Sequence, residues 1–190
     1  MWLPVGVEAR DVVIKLDLKS KIRTIPDFPR KGIMFRDITT LLKDAEAFGR
    51  VVDFFCERYE RMEIGLVAGI ESRGFIIGGA LADRLHKGFV PVRKAGKLPS
   101  KTERESYELE YGRAVVEVHV DAIPKGSRVL IVDDLIATGG TMAAAVNLVK
   151  RLGGKVVECA DIIELPGLHG REIIEQGGHA LFSLVEFEGD

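Results

Sequence analysis

A chain of 190 residues, 46% of them hydrophobic, has enough apolar mass for one core, so a single domain is expected. Its 27 basic and 29 acidic residues leave a net charge of −2, which argues against a surface built to hold nucleic acid but leaves room for a local cluster of donors on a small anion. No apolar run approaches ~18 residues, so no membrane-spanning helix is expected.

The first dozen residues lack the basic-then-apolar order of a secretory signal. Residues 1–43, with Pro26, Pro29 and Gly32, read as an appendage over a core domain spanning 44–190. Within 44–62, Phe48, Val51, Val52, Phe55, Tyr59 and Met62 recur at helical spacing. Residues 64–68 read as a short buried strand. A helix is expected over 72–85, with Gly74, Gly78 and Gly79 where bulkier residues would obstruct close packing. Residues 89–92 are strand-like, whereas 94–112 is long, charged and without clear period, as a lid over a site would be. Val116, Val118 and Val120 alternate with Glu117 and His119, predicting a strand with one exposed face. Residues 129–132 form a buried strand, and 141–152 a helix stopped by Gly153 and Gly154. Strands over 156–163 and 181–187 complete an α/β domain with a mostly parallel sheet flanked by helices. Cys56 and Cys159, with no CxxC spacing, read as buried free thiols of a cytoplasmic protein.

The strongest local signal is RVLIVDDLIATGGTMAAAV, residues 128–146. A buried strand runs into Asp133 and Asp134, then into a short turn with Thr138, Gly139, Gly140 and Thr141, and then into a helix. Ligands of open α/β sheets bind at the carboxyl ends of the strands. A helix start offers unpaired N–H groups to an anion, and glycine lets the backbone wrap phosphate oxygens closely. The two acids suit sugar hydroxyls or a magnesium ion. Neither the Gly-Lys-Ser/Thr nor the GxGxxG pattern occurs.

This segment resembles the phosphoribosyl diphosphate (PRPP) motif of the type I phosphoribosyltransferases. The resemblance implies that Asp133 and Asp134 hold the ribose hydroxyls and that Ala137, Thr138, Gly139, Gly140 and Thr141 cradle the 5-phosphate. Three further segments are similar to the adenine-specific branch of that family. FPRKGIMFRDITTLL (28–42) corresponds to a hood over the base. It implies Phe35 on one face of adenine and Leu135 on the other, with backbone groups of Met34 and Arg36 at the purine edge. VAGIESRGF (67–75) corresponds to the pyrophosphate loop. It implies a cis Glu71–Ser72 peptide and an Arg73 aimed at diphosphate, with Glu71 and Ser72 beside it. PVRKAGKLPSKTERESYELEYG (91–112) corresponds to the flexible catalytic loop. It implies Arg93, Lys94, Lys97 and Tyr111 at pyrophosphate, with Glu110 and Arg73 as the catalytic residues.

Ala137 stands where the 6-oxopurine enzymes carry an acid, which favours adenine over hypoxanthine or guanine. A purine-sensing regulator would need an added DNA-binding segment, and the stretch before Ile22 is short and not basic. The resemblance therefore implies transfer of phosphoribose from PRPP to adenine, giving AMP and pyrophosphate. It also implies Mg2+ as cofactor, held through PRPP and water with no direct protein ligand, and a homodimer that binds neither nucleic acid nor membrane.

Overall fold

The computed structural model describes residues 18–108 and 112–188. The first strands, β1 (Arg23–Pro26) and β2 (Met34–Asp37), pair antiparallel with Thr24 opposite Arg36 and Ile25 opposite Phe35. Their connection carries a cis Phe28–Pro29 bond, and Asp27 Oδ1 accepts the Gly32 N–H at 2.7 Å. The short helix α1 (Thr39–Leu42) follows, and Ile22, Ile38 and Leu41 pack into the same apolar cluster as the next helix. That helix, α2 (Ala45–Tyr59), starts where the Asp44 carboxylate accepts the Ala47 N–H at 3.1 Å. It buries Val51, Val52, Phe55 and Tyr59, the face expected from spacing, while Met62 lies beyond its end.

The main sheet is built from β3 (Leu66–Ile70), β4 (Gly88–Lys94), β5 (Thr102–Glu108), β6 (Arg113–His119), β7 (Arg128–Val132), β8 (Leu135–Ile136), β9 (Lys155–Glu164) and β10 (Leu181–Glu186). Its order is β10-β9-β7-β3-β4-β6-β5, with β8 also on β9. The β10, β9, β7, β3 and β4 pairings are parallel; β6 and β5 add on antiparallel. Central strands alternate between two apolar layers. Val67, Leu130, Val132, Ala160 and Ile162 face α2 and α3 (Gly74–Arg84). Ala68, Ile70, Val129, Ile131 and Cys159 face α4 (Gly140–Arg151) and α5 (Gly170–Gln176). Burial on both faces is why these strands read as continuous apolar runs.

Of the three glycines expected to allow close packing, two do so. A Cβ on Gly74 would fall 2.8 Å from the Val132 carbonyl, and one on Gly78 would fall 2.9 Å from the Phe89 ring, whereas Gly79 has open space. Cys159 is buried and Cys56 only half-buried; both are free thiols.

Two expectations need correction. Residues 94–112 are not patternless: Thr102–Glu108 is a full strand, with every residue paired to β6. Its period of two is carried by polar groups. Glu103, Glu105 and Tyr107 turn inward, and Arg151 and Asn147 of α4 meet the two glutamates. Glu117 is not on an exposed face but has no exposed surface at all. Its Oε1 accepts the N–H groups of Lys97 and Leu98, at 3.0 and 3.1 Å. Its Oε2 accepts from Thr102 Oγ1 and Arg104 Nε, at 3.2 and 2.9 Å. Val120 is the exposed member of that run. Helix α5 was not foreseen.

Candidate active site

A cleft of about 390 Å³ opens where β3, β4 and β7 end. One wall is the unbroken run 133–142; the other is Glu71, Ser72, Arg73, Lys94 and Tyr107. The structure thus brings the acid pair, Leu135, the turn Ala137, Thr138, Gly139, Gly140 and Thr141, and the expected pyrophosphate loop around one space. Gly139 takes φ +79 at the start of α4, a left-handed conformation that glycine adopts without steric cost. With that turn made, the first N–H groups of α4 stand at the cleft without helical partners.

The Asp134 carboxylate is buried and accepts from Arg73 Nε at 2.5 Å, while Asp133 Oδ1 accepts the Asp134 N–H at 2.8 Å. Burial, then the neighbouring Asp134 charge, push the Asp133 carboxyl well above its ordinary range. The Glu71–Ser72 peptide is cis, as the resemblance implies. Glu71 turns its side chain to the end of β4, where Oε2 accepts from Lys94 N–H at 3.0 Å and Arg93 Nε at 3.3 Å. Burial would raise its pKa, but the Lys94 N–H and Arg93 outweigh that and hold it below the usual value. Arg93 also donates to the Lys97 carbonyl at 3.0 Å, so Glu71, Arg93 and Lys97 are tied together beside the cleft.

The hood residues do not line this cleft. Phe35 approaches it through Arg73, whose guanidinium carbon lies 5.9 Å from the ring centroid, and Phe28 packs edge-on against Phe35 at 5.1 Å. The Arg36 side chain turns away, donating to Thr24 Oγ1 at 2.6 Å and lying 4.5 Å over the Phe187 ring. Only its backbone, in β2 beside Met34, is left for a base. Glu110 and Tyr111 lie outside the described residues.

Sequence reasoning missed Tyr107, whose Cδ2 lies 3.2 Å from the position a Cβ on Gly140 would take. Its signal was the polar alternation of β5. Gly170, which lies beneath the turn at Ala137 and Gly139, was missed as well; a lone glycine after His169 carries no signal of that contact. Among the described residues, no three His, Cys, Asp or Glu side chains converge on a metal position.

A family model described as the phosphoribosyl transferase domain matches residues 39–173. A curated relative from Nitrosomonas europaea, an adenine phosphoribosyltransferase, is 57% identical over 173 residues, 91% of this chain and 99% of its own. The chain belongs to the adenine phosphoribosyltransferase family. Adenine phosphoribosyltransferase 4 of Arabidopsis thaliana is likewise 57% identical over 170 residues, 90% of this chain and 92% of its own. Among solved structures of the family, the Rhodothermus marinus enzyme superposes with a TM-score of 0.87 at 50% identity, covering 93% of this chain and 99% of its own. The Trypanosoma brucei enzyme, solved with AMP, pyrophosphate and ribose-5-phosphate, gives 0.84 at 29% identity, covering 91% and 79%. The α/β fold expected from the sequence is the family's fold, and the chain is an enzyme.

Proposed function

We infer that this enzyme is a pentosyltransferase of purine salvage: it transfers the 5-phosphoribosyl group from PRPP to adenine, giving AMP and pyrophosphate. The observation that carries the reading is the cleft itself, where paired acids, a glycine turn and a helix start share one wall and Arg73 stands on the other.

Asp133 and Asp134 accept hydrogen bonds from the ribose hydroxyls. The N–H groups of Ala137, Thr138, Gly139, Gly140 and Thr141, with the threonine hydroxyls, hold the 5-phosphate. Arg73, Arg93, Lys94, Lys97 and Tyr111 serve the diphosphate next to the Glu71–Ser72 peptide. Phe35 and Leu135 sandwich adenine, with Met34 and Arg36 backbone groups at its edge. Arg73 Nε donates to Asp134, so sugar hydroxyls that take Asp134 and a diphosphate that takes the guanidinium would part this pair. The sugar carbon passes through a cationic state as pyrophosphate leaves, and the role proposed for Glu110 is to stabilise that charge or to hold adenine in its reactive tautomer. Cover from the β5 side, where Tyr107 lines the cleft, would keep water from the cation.

Magnesium would be held through PRPP and water, and it would neutralise diphosphate charge alongside Arg73, Lys94 and Lys97. The working form is a homodimer in the cytoplasm, a compartment that suits two free thiols. Among the described residues no helix is long and apolar enough to cross a membrane.

The test is a base panel with PRPP and Mg2+. Adenine is expected to exceed hypoxanthine, guanine and uracil by up to ~10⁴-fold in kcat/KM, because a mismatched 6-substituent leaves a buried partner unpaired. Comparable efficiency with hypoxanthine would overturn the assignment.

A further inference from the structure

The turn at Ala137 and Gly139 rests on Gly170, backbone against backbone. A Cβ on Gly139 would fall 2.7 Å from the Gly170 carbonyl oxygen, and one on Gly170 would fall 2.2 Å from the Ala137 oxygen and 2.9 Å from the Gly139 nitrogen. With no side chain between them, a shift of Gly170 passes directly into the turn, because close-packed contacts do not compress.

Gly170 is held by the residue that follows it. Arg171 donates Nε to Glu164 Oε1 at 2.9 Å and Nη2 to the other Glu164 oxygen, the planar fork-to-carboxylate arrangement. Nη1 reaches the Leu181 carbonyl at 2.9 Å, and Nη2 also reaches Ser183 Oγ at 3.3 Å. Glu164 is buried at the end of β9, so the start of α5 is locked to the end of β9 and the start of β10. Neither Arg171 nor Glu164 lines the cleft.

We propose that Arg171 and Glu164 are positioning residues for PRPP, acting through Gly170 to set the turn that holds the 5-phosphate. This rests on the reading of Ala137, Thr138, Gly139, Gly140 and Thr141 as the phosphate cradle. The structure also contains its own control. Arg58 and Glu158 form an equivalent fork, with both bonds at 2.8 Å, which joins α2 to the same strand β9. Neither of those residues lines the cleft.

The experiment compares Arg171→Lys, Glu164→Gln, Glu158→Gln and Thr138→Val in the full chain. It measures KM for PRPP and for adenine, kcat and the melting temperature. Glu164→Gln keeps side-chain volume and an acceptor, so it carries the test should Arg171→Lys fold poorly. Arg171→Lys and Glu164→Gln are expected to raise KM for PRPP about tenfold and leave KM for adenine within about twofold, since sub-ångström misplacement of a binding group is costly. Glu158→Gln is expected to lower the melting temperature without moving KM for PRPP. An unchanged KM for PRPP in folded Glu164→Gln overturns the proposal, as does an equal rise in Glu158→Gln. Thr138→Val separates the two levels. If it leaves PRPP use untouched, the cradle reading fails and the proposal with it. If it weakens PRPP while the Arg171 and Glu164 variants do not, the proposal alone fails.

Discussion

Replacing Glu117 with glutamine tests whether one buried carboxylate organises the segment that carries Lys97. The wild-type oxygens accept two backbone N–H groups, a threonine hydroxyl and a guanidinium N–H. Glutamine keeps one oxygen for the Lys97 and Leu98 amides but loses the charge. Charge-assisted bonds are roughly twice as strong as neutral ones, so each amide gives up about 1 kcal/mol. Thr102 can rotate its hydroxyl to accept from the new amide. Arg104 is more than half exposed, so the loss of its pairing is largely screened. The total is about 2 kcal/mol, which lowers the melting temperature of a domain this size by about 4–8 °C. Burial would raise the Glu117 pKa, but the Leu98 and Lys97 N–H groups, Thr102 and Arg104 outweigh it and depress the folded value. Its stabilisation is therefore present above the unfolded value of ~4.3 and is lost as pH falls through the folded one. Thermal melts of both proteins at neutral and acidic pH check this, together with hydrogen exchange at the Lys97 and Leu98 amides. A melting temperature within about 1 °C of the parent at neutral pH, or a gap that widens in acid, would refute the reasoning.

Asp133→Asn and Asp134→Asn are each expected to cost about 10–100-fold in kcat/KM for PRPP with an unchanged circular-dichroism spectrum, the worth of one charge-assisted bond; wild-type efficiency in both would refute the ribose assignment. Asp161 is wholly buried, with Oδ2 accepting from Ser183 and Oδ1 unpartnered among the described residues. Burial first, and then Glu164 and Asp134, push its pKa well above the ordinary value against the opposing pull of Ser183 and Arg171. The folded protein then keeps a proton that the unfolded chain releases above ~3.9, so stability is lost as pH rises from there. Asp161→Asn should accordingly gain in melting temperature over the parent as pH rises, and a pH-independent difference would count against the account. Glu110→Leu is expected to lower kcat more than it raises KM, as an interaction made mainly in the transition state requires; steady-state kinetics with a normal kcat would remove Glu110 from the mechanism.

The parts of the fold legible in the sequence were those where chemistry is local. The strand at 129–132 announces itself because both faces are buried, and the turn after it because acids, glycines and threonines are adjacent in the chain. What stayed hidden depends on distant partners. Glu103 and Glu105 look like solvated charges until Arg151, more than forty residues on, is folded against them. Glu117 looks surface-facing because its partners, Lys97 and Leu98, arrive from a loop rather than from the strand pattern. The Arg73 to Asp134 pair spans sixty-one positions, so neither motif alone predicts it. Gly170 was illegible for the same reason: its neighbour is a backbone, which leaves no residue-type signature.

The strand β5 has a second consequence, for the chain's behaviour in company with copies of itself. A sheet's outermost strand offers a row of unpaired N–H and C=O groups to any other extended chain, the usual seed of aggregation. Among the described residues β5 is that strand on one side of the main sheet, and inward of it lies β6 with Val116 and Val118 buried. Four of the seven residues of β5 are charged, Glu103, Arg104, Glu105 and Glu108. Charged side chains on an outermost strand resist pairing with another chain, so the composition that disguised this segment as a loop also guards this margin of the sheet.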